Sequence, residues 1–383
     1  MSARLSPLLA LLLALACDPA PSTPDGGAMR PPDGGGADAG HTDAGVLSDA
    51  ALPEPVCPDE GASYMPTSAA ELGDPANAGK TAIIASSFDC DGCTLAEAQT
   101  LVAGGGVITG VDIDLAGACI RDSFEQVFSP EARFREVYDR TRLSPELFGA
   151  RGDGLTPDDA AIDALVVNSA LATAREGARY VKNAESHYTR AGDFDWDLDG
   201  AAVVTTDAAA LSHGPETSNQ SRYLFFFDGT SPSIRNGELD GGDLASRLFR
   251  VERARSFHFE RLNVHHYLAP EGAYARGVAF FLKPAPTEHG FVGGAVRDTR
   301  IAHIGAASNG VANDAPYGVS KAVWVSVADN GAATVTLERL EVEDIYGDDA
   351  EGFYASPAFG SDYDYQASEL EILVTDSTFR ACQ

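Results

Sequence analysis

The chain has 383 residues, 44% of them hydrophobic and 8% aromatic, with a formal net charge of −30. A chain of this length forms two domains or one long solenoid. The charge speaks against nucleic-acid binding, because phosphate contacts need Lys and Arg. Acidity on this scale attracts cations, and it repels acidic polymers unless a metal bridges the two.

Residues 1–17 read as an export signal. Arg4 is the lone basic residue, residues 7–15 form a short apolar stretch, and Ala14, Leu15 and Ala16 precede Cys17. The stretch is too short for an ordinary membrane-spanning helix. A Cys directly after such a run resembles the lipobox of bacterial lipoproteins, with Ala14 where Leu is commonest. The resemblance implies lipidation at Cys17 and anchoring in the bacterial cell envelope. Residues 18–56 are almost wholly Pro, Gly, Ala, Asp, Ser and Thr, so they cannot bury enough apolar surface to offset chain entropy and read as a disordered linker. The linker carries −6, which leaves −25 on residues 57–383.

Residues 57–140 form a Cys-containing region with Cys57, Cys90, Cys93 and Cys119. In an exported protein these oxidise to two structural disulfides, and three connectivities are open. Cys90-Asp91-Gly92-Cys93 also fits a redox motif or half a zinc site, although no βαβ pattern surrounds it.

In residues 147–162 the sequence Gly152-Asp153-Gly154 is a turn. Thr156 is then expected as a helix N-cap, with Pro157 at the first helical position and Asp158 and Asp159 at the positive end of the dipole. Ala161, Ile162, Leu165, Val166 and Ser169 give about three turns of helix. The run Phe148-Gly149-Ala150, Gly152-Asp153-Gly154, Asp158-Asp159 resembles the opening of the pectate-lyase-like superfamily of right-handed β-helices. That resemblance implies a right-handed parallel β-helix over residues 141–383, with the helix capping its N-terminal end. Arg179-Tyr180-Val181 and Tyr188-Thr189 would supply the first strands. Lys182-Asn183-Ala184-Glu185 replaces the family's usual Pro-Gly run.

Further on, Asp193, Asp195, Asp197 and Asp199 alternate with Phe194, Trp196 and Leu198 before Gly200. Asp-x-Asp-x-Asp-Gly is the first half of a calcium loop, but Thr206 stands where a bidentate Glu belongs. Asp195, Asp197 and Asp199 are therefore candidate calcium ligands without an EF-hand. As a strand, the segment would line one face with carboxylates, an arrangement that is costly without a cation or a neighbouring Arg, and a merely solvated edge strand is the alternative to calcium binding.

Four stretches overlay from Phe257, Val296, Val335 and Ile372, spaced 39, 39 and 37 residues apart. Each reads apolar-x-apolar, a two-residue polar corner, then apolar-x-apolar. This describes two short strands meeting at a bend, recurring as in the coils of an all-β parallel β-helix solenoid. Cys382 aligns with Ile345 and reads as a buried stack residue. The chain stops inside the fourth copy without a polar cap, so a truncated fragment, or another chain covering that end, is expected.

Candidate chemistry follows from this coil layout. Asp348 and Asp349 follow the third strand pair, and Asp314 lies one coil earlier. In polygalacturonase-like relatives of the resembled superfamily, a paired aspartate plus one on a neighbouring coil act as acid and base. Stacked layers bring such acids within the ~6.5–9.5 Å of an inverting glycosidase. The further motifs of that family are absent, and a solvated acidic turn is the plainer alternative. Lys321, Arg339 and Arg380 are the basic residues near coil strands, with Arg261 and Arg339 at the recurring corner. His265 and His266 are expected to point to opposite faces and to make a poor metal pair. Tyr346, Phe353, Tyr354, Tyr363 and Tyr365 cluster around the acids. The expectation is a surface-tethered protein that binds or cleaves polysaccharide, with a non-catalytic glycan-binding or structural envelope scaffold as the alternative.

Overall fold

The computed structural model describes residues 57, 61–121, 124–207, 223–269, 276–285, 290–306, 319–326, 331–347, 349–356 and 368–382. Strands make up 52% and helices 8%, the sheets are parallel, and among the described residues no barrel closes. Among the described residues the strands fall into sheets of thirteen, six, four and two members. Along the chain, strands join the thirteen- and six-stranded sheets in alternation, so each layer contributes to both. One apolar cluster runs between the sheets from Leu72 to Phe353. The architecture is thus all-β and parallel, stacked layer on layer.

The repeat works as its apolar pattern requires. Phe257, Phe259, Leu262, Val264 and Tyr267 all point inward from the strand Ser256–Ala269. The one-residue phase change between Phe259 and Leu262 has a backbone cause. Arg261 has φ 52°, and the residues stacked at the same corner, Asn236, Asp298, Arg339 and Asp376, have φ 61°, 49°, 52° and 51°. A left-handed residue at each corner turns the chain and restarts the alternation. Arg261 donates to Asn236 Oδ1 at 2.6 Å, and Arg339 Nη2 to Asp298 Oδ2 at 2.7 Å, so side chains also join one corner to the next.

Register corrects one copy of the sequence repeat. Val335 pairs with Ile372, Val342 with Phe379 and Ile345 with Cys382, as expected. Phe257, however, pairs with Gly294 rather than Val296, and Val296 lies beside Phe259. The second copy is slipped by two residues, which preserves which side chains face inward.

The helix also starts later than expected. It spans Asp159–Asn168 with Asp158 at the N-cap position, while Asp153–Pro157 form a strand. The Thr156 hydroxyl is committed backwards, donating to Asp153 Oδ2 at 2.9 Å, and Asp153 Oδ1 accepts from the Leu155 and Thr156 amides. Asp158 accepts from the Arg151 and Val181 amides, and Asp159 from those of Asn183 and Ala184. The two acids therefore tie the helix start to neighbouring segments. Lys182 is fully buried, with Nζ 3.1 Å from Asp163 Oδ1 and 2.8 Å from Ser186 Oγ.

The Cys-containing region is itself part of the stack. Ser63, Thr81, Thr100 and Cys119 are successive partners in the four-stranded sheet, a shorter layer than those that follow. Bridges from Tyr138 to Ser169 and from Leu143 to Ala172 join it to the later layers. Among the described residues two disulfides form, Cys57–Cys119 and Cys90–Cys93. This fixes the connectivity among the four cysteines, and with Cys90 and Cys93 joined to each other neither offers a thiolate to zinc.

Candidate functional site

The outward positions of the six-stranded sheet carry one row of rings and cations. His187, Phe226, Arg250, Phe281, Trp324 and Tyr354 are consecutive partners across all six strands. Their neighbours Phe225, Phe227, Phe249, Val251, Phe280, Leu282, Val323, Val325 and Phe353 fill the core. Side chains alternate along a strand, so packing these residues inward forces the row outward in register. Five strand spacings give the row a length of about 24 Å.

The members of the row touch one another. The His187 and Phe226 rings stack with centroids 4.1 Å apart, and the Arg250 guanidinium lies 4.5 Å from Phe226 and 5.6 Å from Phe281. Phe281 and Trp324 are 4.8 Å apart, and Trp324 meets Tyr354 edge-on at 5.6 Å. Tyr223, Val278 and Trp324 form an apolar cluster outside the main core, with Phe226, Phe281 and Tyr354 packed on it half-buried.

Charged groups flank the row on both sides. Two residues along the strands, Asp228, Glu252 and Lys283 are partners, and Lys283 Nζ lies 3.3 Å from Glu252 Oε1. Asp228 is 5% exposed and accepts from Arg253 and from His187 Nε2 at 3.2 Å. Burial pulls its carboxyl upward, but those hydrogen bonds and positive charges outweigh burial and hold it below its ordinary value. On the other side Lys321 is buried, with Nζ 2.6 Å from Glu351 Oε2 and 4.6 Å above the Tyr354 ring. A strip combining ring surface with paired charges offers both apolar contact and hydrogen bonding to one extended ligand.

The residues expected from sequence fall in several places. Asp349 opens the strand Asp349–Ser356 that also holds Glu351 and Tyr354. The side chain of Asp349, together with Asp348, Asp314, Cys17, Tyr363 and Tyr365, lies outside the described residues. Phe353 belongs to the core, and Tyr346 lies in the thirteen-stranded sheet.

The strand Gly192–Asp197 is internal rather than an edge, because it pairs with Leu171–Thr173 on one side and with residues 230–235 on the other. Its carboxylates are met by arginines. Asp195 bonds Arg142 Nη2 at 3.0 Å and also Arg235, while Asp197 accepts from Arg235 Nε at 3.2 Å and Asn236 Nδ2 at 2.9 Å. These partners take up carboxylate oxygens that calcium would need, and Asp199 lies beyond them at a corner with φ 46°.

One sequence expectation is reversed. His265 and His266 do not diverge; their Nδ1 atoms lie 2.6 Å apart and both face Asp240. His266 has φ 59°, so it sits at a second left-handed corner where the alternation of a strand does not apply.

The ring row escaped sequence reading because it draws one residue from each layer across unequal connections. A local signal was present, since Phe226, Phe281, Trp324 and Tyr354 each put an aromatic ring where alternation calls for a polar residue. No protein-family profile, no curated protein and no solved structure matches the chain.

Proposed function

We propose that this protein is a right-handed parallel β-helix of the pectate-lyase-like kind, held at the bacterial cell surface through a lipid on Cys17, that binds an extended polysaccharide along its six-stranded sheet. The observation that supports this most is the row from His187 to Tyr354, in register over six strands. A rung spacing of ~4.8 Å suits a linear polymer, which repeats along its length as the row does. Sugar C–H faces pack on rings, and hydroxyls reach the flanking Glu252, Lys283 and Glu351. With −25 on residues 57–383, the protein repels polyanions, so the ligand is a neutral polysaccharide.

Cleavage is the second reading. It rests on one strand carrying Asp349, Glu351 and Tyr354, with the Lys321–Glu351 pair beside the ring row. Asp348 and Asp314 would complete the acid–base set.

The test is retardation of the protein in gels cast with neutral or acidic polysaccharides, run beside assays for new reducing ends and for unsaturated uronate absorbance. Retardation by a neutral glycan that falls at least about tenfold in Phe226→Ala and Phe281→Ala, each still folded, supports binding at the row, since these two rings are only partly buried. One lost aromatic contact of about 1.4 kcal/mol is such a factor. New reducing ends would establish hydrolysis and uronate absorbance would establish elimination. Retardation unchanged in both variants, or absent throughout, means the row serves the fold alone.

A further inference from the structure

We propose that Asp240, His265 and His266 form a binding site for a divalent cation of the late transition series, with zinc-like preferences. The three side chains come from two neighbouring layers: Asp240 closes the strand Thr230–Asp240 and is the direct partner of His265. Their ligand atoms all lie within 4.8 Å of one another.

The geometry is that of one face of a coordination sphere. His265 Nδ1 lies 3.4 Å from Asp240 Oδ1, and His266 Nδ1 lies 3.5 Å from the same oxygen. For metal bonds of about 2.0–2.2 Å at tetrahedral angles, donors are separated by roughly 3.3–3.5 Å. The two imidazole nitrogens, at 2.6 Å, are closer still. Ring nitrogens that approach so nearly share either a proton or a cation. A cation would spread them slightly and satisfy both lone pairs.

The surroundings hold the donors in place. The Gly241 amide donates to the His265 carbonyl and the Asp243 amide to the His266 carbonyl, both at 2.9 Å. The Gly242 amide donates to Asp240 Oδ1 at 2.9 Å, which orients the carboxylate. On the far side of its ring, His265 Nε2 lies 3.4 Å from Glu238 Oε1. A carboxylate behind a metal-bound imidazole fixes the tautomer and strengthens the ligand. The His303 ring stacks on His266 at 5.0 Å and 9°, which limits rotation of the second imidazole.

Imidazole and carboxylate together favour zinc, cobalt, nickel or copper over calcium and magnesium, which prefer all-oxygen shells. Three protein donors leave a further position for water or another oxygen ligand. The His266 side chain is 41% exposed, so this position is reachable from solvent.

The test is equilibrium dialysis of the untagged full-length chain against Co2+ or Zn2+, with metal counted by mass spectrometry and Co2+ followed by its visible absorption. One Co2+ per chain is expected, not displaced by a hundredfold excess of Ca2+. Asp240→Asn and His266→Asn should each weaken binding at least about tenfold. Asn is chosen at 266 because it tolerates a left-handed backbone. Glu238→Gln, behind the ligand, should weaken it by about 10–100-fold. His303→Gln should still take up one Co2+. A reading independent of variants is thermal: saturating Zn2+ should raise the parent melting temperature by mass action. Absence of uptake by the parent, displacement by Ca2+, or uptake equal in Asp240→Asn and His266→Asn would each overturn the proposal.

Discussion

The Phe257 ring lies over Gly294 of the next layer so closely that a Cβ on Gly294 would sit 2.2 Å from Phe257 Cζ. A large side chain in one layer thus fills the space that a small one leaves in the next, and neither choice makes sense alone. Gly294→Ala should overpack the site and cost about 1–3 kcal/mol. Phe257→Ala should leave a cavity and cost about 3–5 kcal/mol. The double variant should cost clearly less than the sum, because each change relieves the other. Urea unfolding of all four proteins measures the coupling, and strict additivity would show that the contact is not limiting.

That same pair explains which parts of the fold could be seen beforehand. Inward positions were legible because apolar residues at Phe257, Phe259, Leu262 and Val264 recur at the same spacing in later copies. Register was legible where each copy holds a branched apolar residue, as at Val335 and Ile372. It was lost at Gly294, where the inward position has no side chain and Val296 offered a better apolar match. A two-residue slip costs nothing in the in-out pattern, so periodicity has no means of detecting it. His265 and His266 were misjudged for a related reason. Their convergence depends on one left-handed residue, and sequence alternation assumes an unbroken strand. The ring row required knowing which residues of unequal layers lie side by side.

Arg250 is the one cation sandwiched within the row among its described members. Its guanidinium lies between Phe226 and Phe281, and Nε donates to Glu252 Oε1 at 2.9 Å. A planar guanidinium stacks on both rings and bonds the acid at once, which an ammonium cannot do. Arg250→Lys should therefore cost about 1 kcal/mol of stability, the scale of a partly desolvated cation–π contact. Arg250→Ala should cost more, because it also opens a gap in the row. Thermal melting at pH 7 measures both, and equal stability of Arg250→Lys and the parent would show that the stacking contributes nothing.

Acid should act through Asp228. Its carboxyl is held below the ordinary value by Arg253 and His187, against the opposing effect of burial. A group whose folded pKa is depressed adds stability that is complete above the unfolded value, about 3.9, and fades as pH falls through the lower folded value. Glu252 is its strand partner, and its charge is partly offset by Arg250 and Lys283. Melting temperature should thus fall below about pH 4 more steeply in the parent than in Asp228→Asn. Parallel curves for the two proteins between pH 5 and pH 2 would remove Asp228 from the acid response.

The two disulfides should differ in worth because they close loops of different length. Cys57–Cys119 spans 62 residues of sequence and Cys90–Cys93 spans 3. By the loop-entropy relation the longer link restricts the unfolded chain by about 4 kcal/mol and the shorter by about 1.5 kcal/mol. The longer bridge also fastens residue 57 to the last strand in the order of the four-stranded sheet, Cys119–Ile120. Cys57→Ala with Cys119→Ala should lower the melting temperature more than Cys90→Ala with Cys93→Ala. Cys90 is buried, so truncating it adds a packing loss of about 1 kcal/mol, which narrows the difference without reversing it. Calorimetry of the two double variants decides the matter. A larger loss from the short loop would mean that local packing around Cys90, and not chain entropy, is what these bridges secure.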